Sequence, residues 1–187
     1  MSKIAFESDR LIMRYYEESD IAEYHRILSD KENMYYFIPF GITTDSLEES
    51  RESLKHAIEY NATGEGHRFC ITLKQNDKMI GGIGYHIADQ TPVGKIADPM
   101  GWFLAPECQN MGYMTEAVKK KLECAFLHDN CIRVVTACFK DNIATQNVMA
   151  KTGFRKEADK LQAMWHGGKM RDRLEYAINR NEFIHDL

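Results

Sequence analysis

No run of apolar residues in the chain approaches the roughly 18 that a membrane-crossing helix needs. The opening segment MSKIAFESDR has no hydrophobic stretch of signal-peptide length either. A cytoplasmic protein that makes no use of a membrane is the expectation. An excess of positive charge is also missing: 24 Lys and Arg stand against 28 Asp and Glu, a formal net charge of −4. Nothing global therefore attracts nucleic acid or an anionic lipid surface. None of the five cysteines forms a C-x-x-C pair, and none of the seven histidines lies in H-E-x-x-H. Cys124, Cys131 and Cys138 are evenly spaced, but they fall on a predicted helix, a connection and a strand, with no His at zinc-finger spacing. Free thiols in a reducing compartment, and no metal, are expected. Repeats, linkers and low-complexity tracts are absent too.

What is present describes an ordinary globular chain. At 187 residues, 44% hydrophobic and 28% charged, it suits one domain over residues 1–187 with a sizeable core. Arg10–Tyr16 alternates as a first strand, and Ser19-Asp20 caps a helix reaching about Ser29. Asn33–Gly41 is aromatic and contains Pro39, which suits an ordered loop or a short helical turn. Thr44-Asp45 caps a second helix that stops at Asn61-Ala62-Thr63-Gly64. Phe69–Leu73 and Met79–Ile87 form a hairpin. Its glycines Gly81, Gly82 and Gly84 mark a bulge or a close backbone approach, and they lead into strand, which rules out a dinucleotide fingerprint. A loop over Asp89–Gly94 precedes a strand ending at Leu104. Pro99 inside that strand implies an edge, a bulge, or pairing that begins only after it.

A long amphipathic helix then runs from Gly112 to about His128, with Lys119-Lys120-Lys121 mostly on its solvated side. Ile132–Cys138 is a β-branched strand. Asp141-Asn142 caps a short helix ending at Lys151, and Phe154–Ile178 folds as a terminal hairpin about His166-Gly167-Gly168. The architecture is mixed α/β with a mostly antiparallel sheet of about six to seven strands and about four helices. The Gly of QNMGYMTEA (Gln109–Ala117) stands where a strand gives way to the long helix, an arrangement that offers free N–H groups to an anion. If the two strand-then-helix units are parallel neighbours, a second helix N-terminus, at Asn142 with Thr145 and Asn147, joins it at the same end of the sheet. An anionic, partly extended ligand would suit that region.

In this order the motifs resemble the GNAT superfamily of acetyl-CoA-dependent N-acetyltransferases, and within it the bacterial ribosomal-protein N-terminal acetyltransferases. S-D-R-L-I-M-R from Ser8 is similar to that branch's T-x-R-L-x-L-R opening. G-W-F-L-A-P-E from Gly101, followed by Q-N-M-G-Y-M-T-E-A, is similar to its cofactor strand and pyrophosphate loop. D-N-I-A-T-Q-N-V-M-A-K-T-G-F from Asp141 is similar to its second cofactor segment, and W-H-G-G-K-M-R-D from Trp165 to its final hairpin. The resemblance implies the GNAT fold with a splayed cofactor cleft, and acetyl-CoA as cosubstrate. It implies cofactor contacts from Trp102, Phe103 and Leu104, from Gln109, Asn110, Met111, Gly112, Tyr113, Met114 and Thr115, and from Asn142 and Asn147. Met114 replaces the loop's small final residue. Asn142 also reads as a plain helix cap, and both readings can hold at once.

Transfer to an amine requires loss of a proton from the ammonium, a donor for the developing oxyanion, and a proton for the departing thiolate. A backbone N–H at the end of the Gly101–Leu104 strand fits the oxyanion role. By the resemblance Thr145 serves the thiolate, with a first-turn hydroxyl bonded to backbone as the alternative. Many branch members carry a Glu where Pro99 stands here. Asp98 is adjacent, although a one-residue offset reverses its face unless a bulge intervenes; Glu107, His86 and a water chain are further candidate bases. Tyr35, Tyr36, Phe37 and Trp165 either wall an acceptor pocket or belong to the core. The acceptor is a peptide N-terminus or a small-molecule amine, and dimers are common in the branch, which makes a homodimer one candidate assembly. Pro99 and Met114 also motivate an alternative from another class, an inactive acetyl-CoA-binding sensor or interaction module.

Overall fold

The computed structural model describes residues 4–40, 42–63 and 67–184. Gly41 and Gly64, which belong to the loop and helix-stop expectations above, lie outside them. The elements are β1 (Ile4–Glu7), β2 (Leu11–Arg14), α1 (Ile21–Leu28), α2 (Leu47–Ala62), β3 (His67–Leu73), β4 (Met79–Thr91), β5 (Gly94–Leu104), α3 (Tyr113–Leu127), β6 (Cys131–Phe139), α4 (Ile143–Lys151), β7 (Arg155–His166), β8 (Lys169–Asn179) and α5 (Arg180–Ile184). Hydrogen-bonded neighbours follow the order β1-β2-β3-β4-β5-β6-β8-β7 in one eight-stranded sheet. Eight strands and five helices stand close to the expected count. The additions are β1 and α5, each too short to show a period.

By contacts the chain divides into two compact units, and β4, β5 and α3 each run through both. The first comprises Met1–Gly84 and Trp102–Lys120. In it β1 pairs with β2, and β2 with β3, antiparallel. Leu11, Met13, Ile27, Leu28 and Ile71 are fully buried, which confirms the alternating and helical spacings that predicted β2, α1 and β3. Asp20 does not cap α1 with its side chain. Its carboxylate instead accepts both guanidinium ends of Arg14, at 2.7 and 2.8 Å, and the Glu17 N–H at 2.9 Å. Taking such a pair out of water is costly, and these hydrogen bonds offset that cost. The cap of α2 is Ser46, which accepts from the Glu49 N–H, while Thr44 bonds the buried Ser50.

Gly82 shows what the glycine-rich β4 is for. A Cβ there would lie 2.2 Å from the Tyr16 hydroxyl and 2.7 Å from the Phe103 ring. The expected close approach is realised here, because only a bare backbone leaves room for those two aromatics.

The second unit comprises Tyr85–Gly101 and Lys121–Leu187. Here β5 and β6 pair in parallel through Lys95↔Cys131, Ile96↔Arg133 and Ala97↔Val134. β8 joins β6 antiparallel, and β7 joins β8 with shifts of register at Lys156/Ala158 and Lys160/Met164. The expected loop over Asp89–Gly94 shrinks to a turn at 92–93, because β4 extends to Thr91.

Of the expectations for Pro99, pairing that begins only after it is the one overturned. The β5–β6 register ends at Ala97, ahead of the cis Asp98-Pro99 bond, and does not begin after it. Proline has no N–H for a ladder, and beyond it the Thr136 hydroxyl takes the Met100 carbonyl at 2.7 Å. Ala97 and Met100, three apart, are both buried while Asp98 and Pro99 are exposed. The alternation therefore slips there.

Lys121 departs from the solvated face assigned to its run: it is 0% exposed. The α3 stripe of Ala117, Val118, Leu122 and Ala125 is wide enough to take it in. Its ammonium lies 4.0 Å from the centre of the Tyr85 ring and 3.8 Å from Asp129, to which the Tyr85 hydroxyl also donates. Burial lowers the Lys121 pKa to about 8, against the opposing pull of Cys124 and Asp129. With the folded value near 8 and the ordinary value at 10.5, the unfolded chain binds more protons between those limits. Stability from this group therefore rises with pH across that window. Lys121→Met, similar in volume and uncharged, should be more stable than the parent near pH 7, by about 1–4 kcal/mol. The advantage should shrink by about pH 10. Denaturant titrations of both proteins at the two pH values check this, and a pH-independent difference would contradict it.

Candidate functional site

In the first unit, β5 ends at Leu104 and a single 3-10 turn, Pro106–Cys108, leads to the loop at Gln109. The Ala105 N–H pairs with the Ile80 carbonyl at 2.8 Å. By strand alternation the Leu104 N–H and C=O point to the opposite edge. Asn33 takes that carbonyl at 3.0 Å through Nδ2, and its Oδ1 accepts from Gln109 Nε2 at 2.6 Å. One side chain thus ties the strand end to the first residue of the loop. Trp102 is buried, Phe103 and Leu104 are half-buried, and the Phe103 ring meets Phe37 edge-on at 6.4 Å. Tyr35 and Tyr36 contact each other at 5.2 Å on the 3-10 segment Tyr35–Phe40.

The loop turns through two left-handed residues, Asn110 at φ 61° and Gly112 at φ 80°. The Gly112 carbonyl accepts the Glu116 N–H at 3.1 Å, which starts α3. Among the described residues the N–H groups of Gly112, Tyr113, Met114 and Thr115 have no acceptor. Unbonded donors at a helix start, with the positive end of the helix dipole behind them, form an anion site. Met114 is 6% exposed, so its side chain enters the interior and does not cover those donors.

Arg10 and Glu116 flank the loop, and sequence reasoning assigned neither a role. Arg10 Nε bonds Glu116 Oε2 at 2.7 Å, and its NH1 bonds the Met111 carbonyl at 3.0 Å. Glu116 Oε1 accepts the Arg10 N–H at 2.8 Å and the Ser8 hydroxyl at 2.7 Å. Partial burial acts to raise the Glu116 pKa, but these hydrogen bonds outweigh it and hold the carboxyl below its ordinary value. Both residues sit inside quoted motifs, so the signal existed without its meaning. Asn33 had no signal at all.

Glu107, one of the further candidate bases, is engaged elsewhere. A bond from its own backbone N–H, and then Arg26 at 2.8 Å, lower its pKa. An ion-paired carboxylate of this kind is a weak proton acceptor at neutral pH.

In the second unit Asn142 caps α4, its Oδ1 accepting the Thr145 N–H at 3.1 Å. The Thr145 hydroxyl is half-buried and has no hydrogen-bond partner among the described residues, while Asn147 is exposed. Asp98 is exposed, and so is His86. Trp165 is 65% exposed, opposite Met170 at 45%. Among the described residues no group of three or more His, Cys, Asp or Glu is placed to hold a metal, and no helix is long and apolar enough to cross a membrane.

Residues 10–155 match the family described as "Acetyltransferase (GNAT) domain". The chain is 30% identical over 174 residues to the uncharacterized N-acetyltransferase YnaD of Bacillus subtilis (strain 168), covering 93% of this chain and 96% of that one. Among solved structures it is similar to a GNAT-family acetyltransferase from Bacillus anthracis, with TM-score 0.80, 25% identity and 94% and 98% of the two chains covered. It shares its fold with RimL, a ribosomal L7/L12 alpha-N-protein acetyltransferase solved with coenzyme A, with TM-score 0.79, 23% identity and 96% and 99% covered. The chain belongs to the GNAT acetyltransferases, a family of acetyl-CoA-dependent acyltransferases. It is an N-acetyltransferase.

Asn33→Ala leaves the Leu104 carbonyl and the Gln109 amide without their partner, and should cost about 1–2 kcal/mol of stability. Gln109→Ala should cost less, because the strand end keeps its bond. Urea unfolding of the three proteins measures both, and equal losses would place the effect in Gln109 alone.

Proposed function

We propose that the protein transfers the acetyl group of acetyl-CoA to a primary amine, a peptide N-terminus or a small molecule, by direct attack on the thioester. The observation that carries this reading is the loop at Gly112, where the unbonded N–H groups of Gly112 and the first turn of α3 fall in the segment that resembles the family's pyrophosphate loop. We read residues 1–187 as a single acetyltransferase domain, a reading supported by the family match over residues 10–155, which takes in residues of both units. Acetyl-CoA supplies an activated acyl carbon and a stable thiolate leaving group.

The chain's own residues do the rest. The N–H groups of Gly112 to Thr115 hold the pyrophosphate, with Gln109, Asn110 and Met111 shaping the turn before them. The main chain of Trp102–Leu104 aligns the pantetheine arm as an added strand would. The Leu104 N–H, turned away from β4, suits the developing oxyanion. By the resemblance of their segment, Asn142 and Asn147 contact the cofactor, and Thr145, with its hydroxyl uncommitted, donates to the departing sulfur. Asp98, exposed and without an ion pair among the described residues, takes the proton the ammonium gives up, directly or through water. Tyr35, Tyr36, Phe37 and Trp165 are the aromatic residues assigned to the acceptor.

Free coenzyme A release, followed with acetyl-CoA over a panel of peptides, amino acids, polyamines and aminoglycosides, tests the reading. Turnover is expected with at least one amine class. Thr145→Ala should lower kcat by about 10²-fold, as loss of a general acid does, with coenzyme A affinity unchanged. Binding without turnover for every amine would favour a cofactor-binding module; no binding would remove the proposal.

A further inference from the structure

We propose that Arg10 is a positioning residue for the cofactor loop, acting through the Met111 carbonyl and not by touching the ligand. The inference rests on the acetyl-CoA reading above and assigns a role that reading does not contain. Arg10 stands just before β2, and its guanidinium spans two partners: Nε on Glu116 Oε2 at 2.7 Å and NH1 on the Met111 carbonyl at 3.0 Å. In a planar trans peptide the C=O and the following N–H point in opposite directions. Drawing the Met111 carbonyl toward Arg10 therefore turns the Gly112 N–H away from it, to the open side of the loop. The Gly112 carbonyl is likewise committed, to the Glu116 N–H at 3.1 Å. With both carbonyls turned inward, the exposed face of the turn presents donors alone, as an anion requires.

Two further features fix the guanidinium itself. Glu116 accepts three hydrogen bonds from one segment, from the Ser8 hydroxyl, the Arg10 N–H and the Arg10 Nε, while its own N–H begins the helix. The Arg10 guanidinium lies 4.4 Å over the Tyr113 ring. The Arg10 NH2 group also packs close to Gly112, whose glycine serves the left-handed turn at φ 80°. Lysine could keep the ion pair but not both contacts, since its ammonium lacks the planar fork.

The test uses the full chain, with coenzyme A as the probe. Calorimetric titrations are run on the parent, Arg10→Gln and Arg10→Lys, together with thermal melts without ligand. Arg10→Gln is expected to weaken coenzyme A about tenfold, the loss expected of a charged hydrogen bond that organises a site. Arg10→Lys should melt close to the parent and yet show most of that loss. Faster amide exchange at Gly112–Met114 should accompany it, a readout that simple loss of stability elsewhere would not move. Unchanged affinity in Arg10→Lys with faster exchange absent overturns the proposal, as does an Arg10→Gln protein that melts lower but binds as the parent does. If Arg10→Gln fails to fold, Arg10→Lys alone decides. A parent protein that does not bind coenzyme A would instead overturn the underlying functional reading.

Discussion

Unsatisfied backbone donors at the start of α3 are the constraint to which the first unit is built. Any helix leaves its first N–H groups without partners, and most proteins cover them with a side-chain cap or water. Here no side chain among the described residues takes them, although Asn110 and Thr115 stand close enough in sequence to compete. The carbonyls of the turn are drawn to Arg10 and to the Glu116 amide, and the nearest large side chain, Met114, is buried. Donors left to water in this way are readily taken over by an anion. The second helix start is handled differently: Asn142 caps α4 through the Thr145 amide, so what remains available there is a hydroxyl and not a row of amides.

Much of the fold was legible because period and burial coincide. Alternation in Leu11–Met13, helical spacing along α3 and the β-branched run of β6 all mark faces that are buried. The sequence was silent on β1 and α5 because so few residues cannot display a period. It misled at Lys121, since charge is a good guide to exposure only when no aromatic ring or carboxylate waits inside; Tyr85 and Asp129 do. Pro99 was recognised as an interruption, but the side of the interruption on which pairing survives depends on where the partner strand starts, and Cys131 meets Lys95 early.

For the candidate site, the loop itself was legible and its supports were not. Gly112 announces its turn locally. Arg10 and Glu116 are 106 residues apart, and Asn33 and Gln109 are 76 apart. No periodicity connects residues at such separations. They become partners only once β2 and the segment after α1 have been brought to the end of β5. Motif resemblance supplied the letters of the first pair without the bond between them. The same limit applies to Glu107, which looks available in sequence until Arg26 is found across from it.

The outermost strand carries a different consequence. β7 has one free edge, since the strand order ends with it. A long straight edge would be a template on which another chain could add a strand. This one is bent twice, at Lys156/Ala158 and Lys160/Met164, with Gln162 in a left-handed conformation at φ 48°. Its side chains include Arg155, Lys156, Glu157, Asp159 and Lys160, several of them in ion pairs with Arg133 on β6, Lys140 just after it and Glu175 on β8. An incoming strand would lose register within a few residues and meet charge of both signs. The hairpin can therefore hold Trp165 and Met170 in the open at its tip while its edge resists the addition of another strand, a division of labour along a single strand.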